Sequence, residues 1–200
     1  GASKSAVCET VQWVENTLAK DKTFKLPGKK ALRKAENAIE YIAAGVAEGP
    51  IRRPEKGQKE HYSGKKRHAI KAQAIIEGKS KKVLGAREAK GGVHDFQVYK
   101  DAIGKSVKAS ILIRADLGYL GIEKLHENSR IPKKGSRLHK LNRRDKAYNK
   151  RLARERAAIE RINAKIKTFK SMACLYRNHC GRHLLRMSLI CGIINRELCI

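Results

Sequence analysis

The sequence predicts an α/β layer fold, a mixed sheet flanked by helices. Two observations predict it. Short apolar runs, partly β-branched, occur at residues 41–46, 67–76, 81–87 and 111–113 and read as strands. Stretches with apolar residues every third or fourth position, above all 145–170, stand around them and read as helices. Strands interleaved with helices bury their apolar faces by stacking in layers around one core. The chain has 200 residues, enough for one domain with a small appendage, and its 41% hydrophobic content excludes wholesale disorder.

The elements follow in order. Residues 1–20 read as a helix, with Val7, Val11, Val14 and Leu18 at steps of four and three, Trp13 beside them, and Ser3 or Ser5 as cap. This segment suits either the second helix of a helix-turn-helix whose first helix is absent, or an ordinary amphipathic helix. Phe24-Lys25-Leu26-Pro27-Gly28 punctuates the chain, and we place a boundary there, giving regions 1–27 and 28–200. Residues 41–46 suit a buried strand after a short helical segment, broken by Gly49-Pro50 and Arg53-Pro54. Residues 55–66 are polar and basic and read as a loop. Glu77-Gly78-Lys79-Ser80 joins the strands at 67–76 and 81–87 as a hairpin turn. A helix is predicted over 95–103, a strand at 111–113 ending at Ala115-Asp116, and a short helix over 122–125. Residues 129–146 read as a basic loop. The long helix at 145–170 carries Leu152, Ile159, Ile162, Ile166 and Phe169 on one face, and a last apolar helix covers 184–198.

Charge narrows the function. Forty-six Lys and Arg against 19 acids give a formal net charge of +27. Such self-repulsion gives a lone domain no folding benefit and points to a polyanionic partner, nucleic acid first, because each neutralised phosphate releases a counterion. No apolar run approaches the roughly 20 residues needed to span a bilayer, and no signal-peptide pattern opens the chain. Five cysteines, four of them in the last 27 positions, do not resemble a secreted disulfide framework, so an intracellular setting is expected. Cys174, His179, Cys180 and His183 invite a zinc reading, but only the two histidines have ligand-like spacing.

Two acids are candidates for chemistry. Asp116 ends a hydrophobic strand next to glycines, where it could hold a hard cation such as Mg²⁺ or simply cap the next turn. Glu160 shares a helix face with Arg156 and Lys167, at about 100° per residue, and is expected half-buried at the edge of the apolar stripe. It could be a metal ligand with phosphate-holding neighbours, or half of an i,i+4 ion pair. His94-Asp95 reads as a helix cap. The basic segments 56–67 and 133–150 are expected to track a DNA backbone, with Lys65, Lys66, Arg67, Lys133, Lys134, Arg143 and Arg144 as contacts.

The segments Ala115-Asp116-Leu117-Gly118-Tyr119-Leu120-Gly121-Ile122 and Arg156-x3-Glu160-x6-Lys167 resemble the second and third acidic motifs of bacterial insertion-sequence DDE transposases, in the branch related to Harbinger-type elements. Phe24-Lys25-Leu26-Pro27-Gly28, Tyr62-Ser63-Gly64-Lys65-Lys66, Val93-His94-Asp95-Phe96 and Tyr176-Arg177-Asn178 extend the resemblance along nearly the whole chain. It implies a ribonuclease H-like catalytic domain, preceded here by a helix-turn-helix remnant. It implies two Mg²⁺ or Mn²⁺ ions held by three carboxylates, and cleavage and strand transfer on double-stranded DNA at element ends. Asp116 and Glu160 are then the catalytic metal ligands, with Arg156 and Lys167 supporting them. A bacterial cytoplasmic, nucleoid-associated protein is implied, with a homodimer possible.

The chain departs from that pattern at one place above all. Glu48-Gly49-Pro50-Ile51 matches the stretch that follows the family's first acid, which sets Gly45 at the acid's position and Ala47 where threonine is common. Glu48 and Glu40 stand at odd separations from Gly45 and, on an alternating strand, face the other way. The expectation is a degenerate copy with impaired metal binding and little or no transposition. The competing reading is a non-enzymatic basic nucleic-acid-binding protein. Asn178-His179-Cys180-Gly181-Arg182-His183 stands where the family is arginine-rich, which the resemblance reads as drift rather than a zinc site.

Overall fold

A computed structural model describes residues 1–33, 39–137, 140–177 and 181–198, with the backbone alone for Lys105. Helix α1 spans Lys4–Lys20, capped by the Ser3 hydroxyl, which accepts from the Ala6 amide. A 3-10 turn, Lys22–Phe24, and a short helix α2, Gly28–Arg33, lead to strand β1, Tyr41–Pro50. Then come α3 (Gln58–His61), β2 (Ala69–Glu77), β3 (Val83–Lys90) and α4 (Asp95–Ala102). Strands β4 (Leu112–Arg114) and β5 (Ser129–Arg130) precede the long helix α5 (Arg143–Thr168), a turn of helix α6 (Lys170–Ala173) and α7 (His183–Glu197). A capping box starts α5: the Asn142 side chain accepts from the Asp145 amide, and the Asp145 side chain accepts from the Asn142 amide.

The five strands form one mixed sheet in the order β3-β2-β1-β4-β5. β1 lies at its centre, antiparallel to β2 and parallel to β4. This is the α/β architecture expected, a mixed sheet flanked by helices, consistent with a ribonuclease H-like arrangement. Period-two alternation sends β1 side chains to two separate cores. Ile42 and Ala44 join Ile75, Leu84, Tyr99, Ile113 and Tyr119 beneath α2 and α4. Ala43 joins Ala74, Ile76, Val83, Ile159, Ile162, Ile166, Met187 and Ile190 beneath α5 and α7. Each fully buried Ile or Leu there contributes about 1.5–3 kcal/mol by leaving water. At the outer strand, the Asn195 side chain of α7 pairs with the backbone of Val83 in both directions, at 2.7 and 2.8 Å.

Several boundaries differ from the sequence expectation. β1 runs on through Gly49 to Pro50, because a proline at a strand end need donate nothing; its carbonyl instead accepts from Tyr176. The 55–66 loop contains α3, and the 129–146 loop contains β5, too short to show a period. α1 is followed by a 3-10 turn. Residues 34–38, which precede β1, lie outside the described residues, as do His179 and Cys180 of the zinc reading. Of that group's other members, Cys174 is exposed and His183 is buried against Glu88, its Nδ1 3.1 Å from the carboxylate. Among the described residues, no helix is long and apolar enough to cross a membrane.

Candidate active site

The parallel pairing of β1 with β4 sets Tyr41 beside Leu112, Ile42 beside Ile113 and Ala43 beside Arg114. Continued by two residues, this register brings Gly45 level with Asp116. The two positions at which the sequence places the first and second acids are therefore neighbours at the end of the central strand pair.

Asp116 caps the 3-10 turn Leu117–Tyr119, its Oδ1 accepting from the Gly118 amide at 2.9 Å. The capping role and a place at the strand end are thus one arrangement. Its Oδ2 lies 3.6 Å from Nη2 of Arg156 on α5. Gly118 lets both acids come close: a Cβ here would stand 2.9 Å from Asp116 Oδ1 and 3.3 Å from Asp95 Oδ2, and a carboxylate would have to shift. Two carboxylates therefore flank this glycine.

Asp95 does not cap α4. His94 is the N-cap, without a side-chain cap bond, and Asp95 in the first turn accepts from Lys71 Nζ at 2.6 Å. Lys71, buried on β2, also donates to the Val93 carbonyl at 2.7 Å. Next to it Gln73 donates to the Tyr119 hydroxyl at 2.8 Å. Burial, then the negative charges of Asp116 and Asp95, push the Tyr119 hydroxyl's pKa far up, outweighing the opposing hydrogen bond from Gln73. Glu48, cross-strand from Lys71, lies on this same side and accepts from the Ser63 hydroxyl at 3.1 Å.

Gly45 faces the other way, towards α5. A Cβ built on it would lie 2.6 Å from Cδ1 and 3.1 Å from Cγ1 of Ile159, and 3.6 Å from Nδ2 of Asn163. Ile159 is buried, so its side chain fills the space above the glycine. The Asn163 Oδ1 beside it is buried without a hydrogen-bond partner, as is Arg156 Nε. The stretch Arg156–Asn163 of α5 thus lies over the ends of β1 and β4.

Glu160 is on this stretch, but it is exposed rather than half-buried. Its side chain turns to solvent because Leu152, Ala158, Ile159, Ile162 and Ile166 occupy the core side of α5. Arg156 pairs with Asp116, so the i,i+4 pair with Glu160 is not formed. Lys167, two turns on, is exposed. The basic candidates Lys65, Lys66, Arg67, Lys133, Lys134, Arg143 and Arg144 are all exposed; Lys133 pairs with Asp145 at 2.6 Å and Lys65 lies 3.9 Å from Glu48. Among the described residues, no three His, Cys, Asp or Glu side chains gather closely enough to hold a metal ion. With glycine at 45 and isoleucine over it, the residues present do not fit a three-carboxylate metal centre.

The profile of the transposase DDE domain family matches residues 21–195 of this chain. The chain belongs to that family. A curated relative from Microchaete diplosiphon, described as "Probable transposase for insertion sequence element IS702", is 41% identical over 201 residues, covering 99% of this chain and 72% of its own length. No solved structure matches. The match spans the mixed sheet and helices α5 to α7, and α1 lies outside it.

Sequence reasoning missed Asp95 with Lys71, and the Ile159–Asn163 cover over Gly45. The first had a signal, polar Lys71 and Gln73 alternating with Ile70, Ala72 and Ala74 in an otherwise apolar strand. The second had none, since it depends on which turn of α5 crosses β1.

Proposed function

We propose that this chain is a transposase of the DDE type that binds the ends of its element and has lost most or all strand cleavage. The observation that carries this reading is Gly45, which offers no carboxylate and is covered by Ile159. Family members perform cleavage and transfer with divalent metal. Here Asp116 and Glu160 remain as ligands for Mg²⁺ or Mn²⁺, Arg156 and Lys167 remain as their cationic neighbours, and no oxygen is offered at position 45. Retained DNA affinity follows from the net charge of +27 and from the exposed cations Lys65, Lys66, Arg67, Lys134, Arg143 and Arg144. We assign residues 28–200 to the catalytic fold and 1–27 to an arm, the remnant of a helix-turn-helix. The protein acts in the bacterial cytoplasm on double-stranded DNA, and paired element ends make a homodimer its working form.

The test uses the unaltered chain with duplex carrying the element's terminal repeats. Expected are salt-dependent binding, with log K falling by about 0.9 per phosphate contact against log salt, and no nicking in Mg²⁺ or Mn²⁺. Robust metal-dependent nicking refutes the degenerate reading; a flat salt dependence refutes phosphate-led binding.

A further inference from the structure

Helix α1 has no fully buried residue: Leu18 and Ala19 are half-buried, and Val7, Val11, Trp13 and Val14 are exposed, so apolar burial accounts for little of its attachment. A polar clamp accounts for the rest. Glu15 Oε2 accepts from Arg182 Nε at 2.7 Å and Glu15 Oε1 accepts from Arg186 Nε at 2.5 Å. Arg182 Nη2 also donates to Asn16 Oδ1 at 2.7 Å and to the Gln12 carbonyl at 3.3 Å. The three charged side chains are largely withdrawn from water, at 13%, 17% and 20% exposure for Glu15, Arg182 and Arg186. The Tyr176 ring lies 5.8 Å from the Arg186 guanidinium. The two arginines stand at the start of α7, where Arg182 is the N-cap and no side chain caps the helix. Two guanidiniums converging on the two oxygens of one planar anion also match two oxygens of a phosphodiester. One carboxylate against two guanidiniums leaves a positive charge uncompensated. An attachment of this kind weakens with salt and yields to a stronger polyanion.

We propose that Arg182 and Arg186 form a phosphodiester-binding site that Glu15 of α1 covers in the free protein, and that duplex DNA displaces α1 to occupy it. This rests on the DNA-binding reading above. The Glu15 carboxylate stands in for phosphate until a denser array of phosphates, with its counterion release, replaces it. The arm 1–27 is then a cover over part of the DNA surface, and DNA binding and arm release are linked reciprocally.

Trp13, the only tryptophan, sits exposed on α1 and serves as reporter. The experiment follows amide hydrogen exchange over residues 4–20 and the fast component of Trp13 anisotropy decay. In parallel it measures affinity for a labelled duplex, in the unaltered chain, in Glu15→Gln, and in Glu15→Gln combined with Arg182→Gln and Arg186→Gln. Circular dichroism checks that α7 is intact. Duplex is expected to speed exchange in α1 and enlarge the fast Trp13 component. Glu15→Gln is expected to loosen α1 without DNA and to tighten duplex binding about fivefold. The triple variant is expected to lose that gain, with a salt slope about 0.9 shallower than that of Glu15→Gln. Duplex binding that leaves α1 exchange unchanged, or a Glu15→Gln chain with loosened α1 and unaltered affinity, overturns the proposal. Absence of duplex binding in every variant overturns the DNA-binding reading itself, and the site with it.

Discussion

Restoring the acid by Gly45→Asp is the direct test of the catalytic centre, and the structure argues that this change alone fails. The new Cβ would lie 2.6 Å from Ile159 Cδ1 and 3.1 Å from Cγ1, with the carboxylate beyond it. Ile159 must move, and it is packed in the core beneath α5 and α7. Overpacking of this kind costs about 1–3 kcal/mol, which in a chain of this size lowers the melting temperature by about 2–12 °C. Ile159→Ala alone leaves a cavity and costs about 2–5 kcal/mol. Combined, the two changes relieve each other, and the double variant is expected to be more stable than the sum of the singles by about 0.5–3 kcal/mol. Only the double variant has both an oxygen at position 45 and room for it. It alone is expected to be stabilised by Mn²⁺, by about 2.7 kcal/mol at a hundred times the dissociation constant, and so to melt at a higher temperature. The assay is thermal unfolding of all four chains with and without Mn²⁺, followed by nicking of element-end DNA. Strict additivity of the two substitutions, or a Gly45→Asp chain that melts like the unaltered one and cleaves DNA, would show that Ile159 does not close the position.

Lys71→Met is expected to destabilise the chain by about 1–3 kcal/mol, since it leaves Asp95 facing Gly118 and Asp116 without its cation. Adding Asp95→Leu is expected to return part of that loss, and a urea-unfolding cycle measures it. Burial pushes the Cys191 thiol up to about 12, so a thiol reagent at pH 8 is expected to modify exposed Cys8 and Cys174 quickly and to reach Cys191 only on unfolding. Burial alone would raise the Glu15 pKa, but the hydrogen bonds and charges of Arg186 and Arg182 outweigh it, and the net shift is downward. A lowered carboxylate contributes stability that is present above the unfolded-state pKa and lost as pH falls through the folded one. The protection of the amides over residues 4–20, with the intrinsic pH dependence of exchange divided out, is therefore expected to hold at neutral pH and to fall only in acid below the usual carboxylate range; protection that falls on approaching pH 7 from below would contradict the clamp.

Much of the fold was legible in the sequence because its elements carry strong periods. The hairpin of β2 and β3 shows as two apolar runs around a turn, and α5 shows as a stripe from Leu152 to Ile166, whereas the Asn142 cap that starts it two residues earlier was not read. What was not legible depends on pairing across distance. Nothing local sets β1 beside β4, and so nothing local shows Gly45 level with Asp116. The resemblance supplied those positions as motifs, and the strand register supplies their adjacency. Asp95 read as a cap because helix starts favour aspartate, but a buried lysine 24 residues away competes for it. Glu15 finds Arg186 across 171 positions, beyond any pattern of spacing.

The Asn195 amide, by pairing with both backbone groups of Val83, acts as a surrogate strand for one residue at the outer rim of the sheet. A chain without α7 would leave that rim with an open donor and acceptor and the apolar underside of the sheet uncovered. Such a chain would recruit other chains edge to edge and leave solution, whatever remained of its catalytic residues. The helix thus keeps both the edge and the apolar face of the sheet out of reach of other chains.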